Sequence, residues 1–136
     1  MDKKVVAISG YFTVLHKGHI DYMREAKKLG NYLVVIINNN EQQSTKKGKL
    51  IHDVEDIKKV IEVIKYVDEV VISIDKDGSV CKTLEMVKPD IFANGGDRFN
   101  DNIPEVQTCR NNNIKTIFNV GGKKTLSSSE ILSKSD

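Results

Sequence analysis

Five short apolar runs alternate along this chain with stretches of helical periodicity, and that alternation narrows the fold more than any other feature. The runs are Val5–Ser9, Leu33–Asn38, Val70–Ile74, Asp90–Ala93 and Thr116–Asn119. They are rich in Val and Ile and apolar throughout, as strands covered on both faces should be. The spacing predicts helices over Gly18–Leu29, Val54–Val67, Ser79–Val87, Pro104–Asn112 and Ser128–Ser133. In the second of these, Val54, Ile57, Ile61 and Ile64 recur at helical intervals, and Asp53 stands at the N-cap position. Pro104 falls in the first turn of its helix, where its missing N–H costs little. Strands alternating with helices indicate an α/β fold, a doubly wound sheet of five parallel strands joined by right-handed crossovers. Such sheets bind ligands beyond the carboxyl ends of their strands, so the polar stretches that follow the strands are the places to look.

Composition bounds the function classes. A chain of 136 residues is read as one domain over its whole length, large enough for a real core. The formal net charge is +2, so no basic field argues for a nucleic-acid partner. Cys81 and Cys109 lie far apart and lack metal-ligand spacing, which fits a reduced, cytoplasmic protein. No apolar run approaches the roughly 20 residues that span a bilayer. The start of the chain, Met1 to Lys4, leads into a short strand and is not read as a signal sequence.

Four polar stretches follow strands. Ser9 to His19 follows the first and contains His16-Lys17-Gly18-His19. Asn38 to Lys49 follows the second and carries Lys46, Lys47 and Lys49. Asn94-Gly95-Gly96-Asp97-Arg98 follows the fourth, and Val120 to Ser129, with Ser127, Ser128 and Ser129 at a helix start, follows the fifth. Two histidines three apart at the start of a helix project to the same side. That end of a helix also presents unpaired N–H groups and partial positive charge, a setting suited to phosphate. Gly18 between them lets a ligand approach the backbone. Histidines, lysines, an arginine and glycine-rich backbone together suit a triphosphate better than a carboxylate or a metal hydrolase centre. The stretch Asn39 to His52 reads as a mobile polar loop that closes over substrate.

The segment Gly10-Tyr11-Phe12-Thr13-Val14-Leu15-His16-Lys17-Gly18-His19 resembles the G-x-F-D-x-x-H-x-G-H signature of the cytidylyltransferase-like nucleotidyltransferases. Tyr66-Val67-Asp68-Glu69-Val70-Val71 is similar to the family's segment before its third strand, Asn94-Gly95-Gly96-Asp97 to its G-G-D element, and Leu126 to Ile131 to its closing I-S-T-T-x-I element. In pattern the chain is similar to glycerol-3-phosphate cytidylyltransferases and heptose-1-phosphate nucleotidyltransferases. The resemblance implies a Rossmann-like fold and transfer of a nucleotidyl group, CMP favoured, from a nucleoside triphosphate to a phosphorylated polyol or sugar. Pyrophosphate would leave and Mg²⁺ would accompany the triphosphate, with no metal ligand assigned to a protein side chain. A homodimer is implied as well. His16 and His19 would stabilise charge on the α-phosphate and the leaving group, and Lys46 would reach the α-phosphate from its loop. Gly10, Tyr11, Phe12, Gly18, Asn94, Gly95, Gly96, Asp97, Ser127, Ser128 and Ser129 would line the nucleotide. Thr13, Arg98 and Lys49 would face the acceptor.

The pattern departs from the family at three places. Thr13 stands where the signature has Asp, Ile57 where relatives carry Arg, and Gly122 where the glycerol-3-phosphate enzymes have Arg. Lys58 is adjacent to Ile57 but about 100° round the helix. Two other readings follow: an adenylyltransferase acting on heptose 1-phosphate or a cofactor precursor, and a nucleotide-binding domain without turnover.

Overall fold

The computed structural model describes residues 3–12, 15–47, 53–95 and 104–120, with the side chains of 45–47 and 119 left aside. Within them the elements run β1 (Val5–Gly10), α1 (Lys17–Lys27), β2 (Tyr32–Ile37), α2 (Asn40–Lys47), α3 (Val54–Glu62), β3 (Glu69–Ile72), α4 (Cys81–Val87), β4 (Ile91–Gly95), α5 (Pro104–Asn111) and β5 (Lys115–Val120). The expected helix Ser128–Ser133 lies outside the described residues.

The five strands form one sheet in the order β3-β2-β1-β4-β5. Every pairing is parallel. Strand side chains alternate between its faces, and two clusters result. One holds Val6, Ile8, Leu33, Val35 and Ile37 under Met23 and Ala26 of α1 and Ile57 and Ile61 of α3. The other holds Ala7, Val34, Ile36 and Phe92 under Leu84 of α4 and Cys109 of α5. Helices therefore cover both faces, and the sheet is doubly wound as its apolar strands require.

Polar groups fix the joints. Asp53 caps α3 by accepting from the Glu55 N–H at 2.9 Å. The Asp68 carboxylate, just ahead of β3, accepts from the Leu33 N–H at 2.8 Å and pairs with Lys27 at 2.9 Å. Partial burial pushes its pKa up, but the Leu33 and Lys27 bonds outweigh that and hold it below the usual carboxylate range. The N-cap of α4, Val80, offers no side-chain cap. Asp75, five residues upstream, replaces it: its buried carboxylate accepts from the Lys82 N–H at 2.7 Å, the Thr83 N–H at 3.0 Å and the Thr83 hydroxyl at 2.6 Å. Glu105 of α5, also buried, accepts from the Val80 N–H at 3.0 Å. The first turn of α4 is thus satisfied by two carboxylates from other segments.

Two expectations change. The helix predicted over Val54–Val67 stops at Glu62, because Ile64 and Val67 N–H groups bond three residues back and turn the chain towards β3. The stretch read as a loop from Asn39 contains helix α2. It has no apolar face to betray it; it is nucleated by a capping box, with Gln42 N–H donating to Asn39 Oδ1 at 2.9 Å and Asn39 N–H to Gln42 Oε1 at 3.0 Å. Ile57, where relatives carry Arg, is part of the core at 6% exposed, and Lys58 beside it pairs with Glu62 at 3.7 Å.

Candidate active site

Strand β1 leads through α1 to β2 on one side, and β4 leads through α5 to β5 on the other. Since β1 and β4 are neighbours, with Val6 opposite Ile91 and Ala7 opposite Phe92, the chain diverges between them and leaves a crevice at their carboxyl ends. Gly10 ends one wall and Gly95 the other. The pairing of β4 with β5 shifts register between Ala93 and Gly95, which re-aims the backbone at that edge.

The histidines stand where β1 hands over to α1. His16 is the N-cap of α1, and its Nδ1 accepts from the Gly18 N–H at 3.0 Å. His19, at the third helical position, accepts from the His16 N–H through its own Nδ1 at 3.2 Å. The two side chains complete a capping box more often built from Ser or Thr and Glu. Their ring centroids are 4.1 Å apart. With both Nδ1 lone pairs engaged by backbone N–H groups, each neutral ring carries its proton on Nε2 and offers that N–H as a donor. Half-burial, and then the nearby charge of His16, push the His19 pKa below its ordinary value. A neutral His19 still donates from Nε2, so the pair does not need to be charged to bind phosphate oxygens.

Glycines and Phe12 make this geometry possible. A Cβ on Gly18 would lie 2.9 Å from His16 Cε1 and 3.1 Å from its Nδ1. Gly18 therefore makes room for the imidazole that caps it. A Cβ on Gly10 would meet the Phe12 ring at 2.9 Å. Phe12 is held at φ 52°, a conformation unusual for a bulky residue, and turns its ring into the core. There it meets His19 edge-on at 5.4 Å between centroids. Phe12 thus supports a histidine with its side chain.

Asn94 is buried on β4, and its Nδ2 has no hydrogen-bond partner among the described residues. A buried amide donor in that position calls for an acceptor. Tyr22 of α1 donates its hydroxyl to the Ala93 carbonyl at 2.7 Å and ties the histidine helix to β4. Lys46 lies near the end of α2, its side chain outside the described residues. Thr13, Lys49, Gly96, Asp97, Arg98, Ser127, Ser128 and Ser129 also lie outside them. The structure brings together Gly10, Tyr11, Phe12, His16, Gly18 and His19 after β1, with Asn94 and Gly95 ending the neighbouring strand.

Sequence reasoning missed the amides of α2. Asn39 Nδ2 donates to the Ser73 and Asp75 carbonyls, each at 2.9 Å, and Gln42 Nε2 to the Asp77 and Ser79 carbonyls at 2.6 and 2.8 Å. The first turn of α2 is anchored to the β3–α4 connection by these four bonds. The signal was present as Asn39-x-x-Gln42, a capping pair without the usual Ser or Glu.

Among the described residues, no helix is long and apolar enough to cross a membrane. No group of three or more His, Cys, Asp or Glu side chains among them could hold a metal ion.

The family model described as cytidylyltransferase-like matches residues 7–133. An FAD synthase from Picrophilus torridus is 39% identical over 114 residues, covering 83% of this chain and 79% of that protein. An FAD synthase from Ferroglobus placidus is 42% identical over 99 residues, 73% of this chain, and the match spans only 62% of its length. Among solved structures, a lipopolysaccharide core biosynthesis protein from Thermoplasma volcanium superposes with a TM-score of 0.73 at 30% identity, covering 90% of this chain and all of that one. A match over nearly the whole chain, with the paired histidines at the sheet's switch point, leads to one conclusion: the chain belongs to the cytidylyltransferase-like family of nucleotidyltransferases.

Proposed function

We propose that this protein transfers the adenylyl group of ATP to the phosphate of FMN, forming FAD and releasing pyrophosphate. The observation that carries the chemistry is the reciprocal capping of His16 and His19, which leaves two Nε2–H donors beside a helix N-terminus. Similarity to FAD synthases supports the choice of substrates. It moves the donor from the CTP first favoured to ATP, and the acceptor from a polyol or sugar phosphate to a cofactor precursor.

An FMN phosphate oxygen attacks the α-phosphorus in line. One P–O bond forms, the α–β bridging P–O bond breaks, and pyrophosphate leaves with the electron pair. His16 and His19 donate to oxygens on which charge accumulates, and the N–H groups of the first turn of α1 add partial positive charge. Mg²⁺, an oxygen-seeking cation, would be held by the triphosphate oxygens and would supply partial neutralisation of their charge, with no described side chain assigned to it. The open Nδ2 of Asn94 meets a ligand acceptor at the β4 wall.

A second reading keeps adenylyl transfer but takes a sugar phosphate such as heptose 1-phosphate as acceptor. It is favoured by the relative named for lipopolysaccharide core biosynthesis.

The test is pyrophosphate release with Mg²⁺, setting ATP and CTP against FMN, heptose 1-phosphate and glycerol 3-phosphate. ATP with FMN should turn over, with FAD as product, and His16→Ala should lower the rate on the order of 10²–10³-fold. Turnover only with CTP and glycerol 3-phosphate would overturn the proposal; turnover with ATP and heptose 1-phosphate would select the second reading.

A further inference from the structure

Gln43 is fully buried at the carboxyl edge of the sheet, on the helix that sequence reasoning took for a loop. Its Nε2 donates to two backbone carbonyls, Asn38 at 3.0 Å and Tyr11 at 3.2 Å. These are the residues that immediately follow β2 and β1. Reversing the amide would set its oxygen against both carbonyls, so its orientation is determined. Its Oε1 is buried and has no hydrogen-bond partner among the described residues. An apolar side chain of the same volume would avoid the cost of that unpaired oxygen. What it could not do is hold the two carbonyls.

We infer that Gln43 is a positioning residue that fixes the Tyr11–Phe12 turn, and through it the histidine pair, relative to α2. The path is short. The Tyr11 carbonyl belongs to the peptide that enters Phe12, the residue at φ 52°. The Phe12 ring meets His19 at 5.4 Å, and His19 in turn holds the His16 N–H. On the other side, Lys46 lies three residues along the same helix as Gln43. One buried amide thus locks the turn whose Phe12 ring packs against His19 to the helix that carries the candidate lysine. The anchoring of α2 by Asn39 and Gln42 gives that lock a fixed base.

The role in catalysis rests on the nucleotidyl-transfer reading; the structural link to the histidines does not. Gln43→Met keeps the volume and removes both bonds. The folded variant, checked by circular dichroism, should show displaced imidazole proton signals for His16 and His19. The chain has three histidines, so these signals are few, and His52 supplies the third. In turnover, kcat should fall on the order of 10- to 100-fold with KM for ATP little changed, as expected for misplaced charge-stabilising groups. In a His16→Ala background the same substitution should cost much less, because both act through one unit. If Gln43→Met does not fold, Gln43→Asn, which retains the amide but shortens its reach, replaces it. Unmoved imidazole signals in a folded variant, or fully multiplicative losses in the double variant, would overturn the inference. If the wild-type protein turns over no nucleotide, the functional reading fails, and the imidazole signals still decide whether Gln43 positions the histidines.

Discussion

Gly18 shows how a single hydrogen atom in place of a side chain can separate stability from function. The methyl group of Gly18→Ala would fall 2.9 Å from His16 Cε1. The neighbour is the movable end of a side chain, so the ring gives way and the backbone does not. Alanine also favours helix over glycine by roughly 1 kcal/mol. Displacing the ring loses the His16 cap, which costs about 1 kcal/mol, so Gly18→Ala should leave the thermal midpoint little changed while impairing phosphate binding, seen as weaker ATP affinity by calorimetry. His19 makes a second case at this scale. Its pKa lies below the ordinary 6.5, by burial first and the charge of His16 second. Above 6.5 it is neutral both folded and unfolded. As pH falls below that, the unfolded chain takes up a proton that the folded chain resists, so stability declines through the lowered folded value. A proton NMR titration of the His19 ring should show a midpoint below 6.5, and urea unfolding should show the loss of stability on the acid side.

Among elements, legibility followed the source of stability. The five strands could be read because burial on both sheet faces leaves little but Val, Ile, Leu and Phe. Helix α3 showed its apolar stripe and its Asp53 cap. Helix α2 could not be read from periodicity, since it is stabilised by amides bonded to a segment about 35 residues distant. Its cap lay in the sequence, but its partners are set by the tertiary fold. The early end of α3 was hidden because Ile64 and Val67 continue the apolar pattern while packing on the core from a turn. In the site, the histidines were legible from spacing, whereas the supporting role of Phe12 depends on a positive φ that no composition reveals. Helix α4 yields the prediction proper to this scale. Asp75→Ala strips its first turn of a buried acceptor, leaving the Lys82 and Thr83 N–H groups unpaired. The loss should be about 2 kcal/mol or more in urea unfolding, at the upper end for a helix cap because the site is buried.

For the whole molecule, the order of strands in space differs from their order in the chain, and this governs when the crevice can exist. β1 pairs with β2 from Val5–Tyr32 through Gly10–Ile37, all within the first 37 residues. Its other edge waits for β4, whose register with it is Val6–Ile91 and Ala7–Phe92. During synthesis, β1, α1, β2, α2, α3 and β3 emerge together and have partners among themselves. At that stage both imidazoles can already cap α1, and Gln43 can already hold Tyr11, yet the cleft has one bank. A nascent chain in that condition carries its histidines without Asn94 across from them, and it has an unpaired central strand open to any other unfinished chain. Completion of the candidate site therefore comes late in folding, and the interval before β4 docks is when association between incomplete chains competes with completion of the fold.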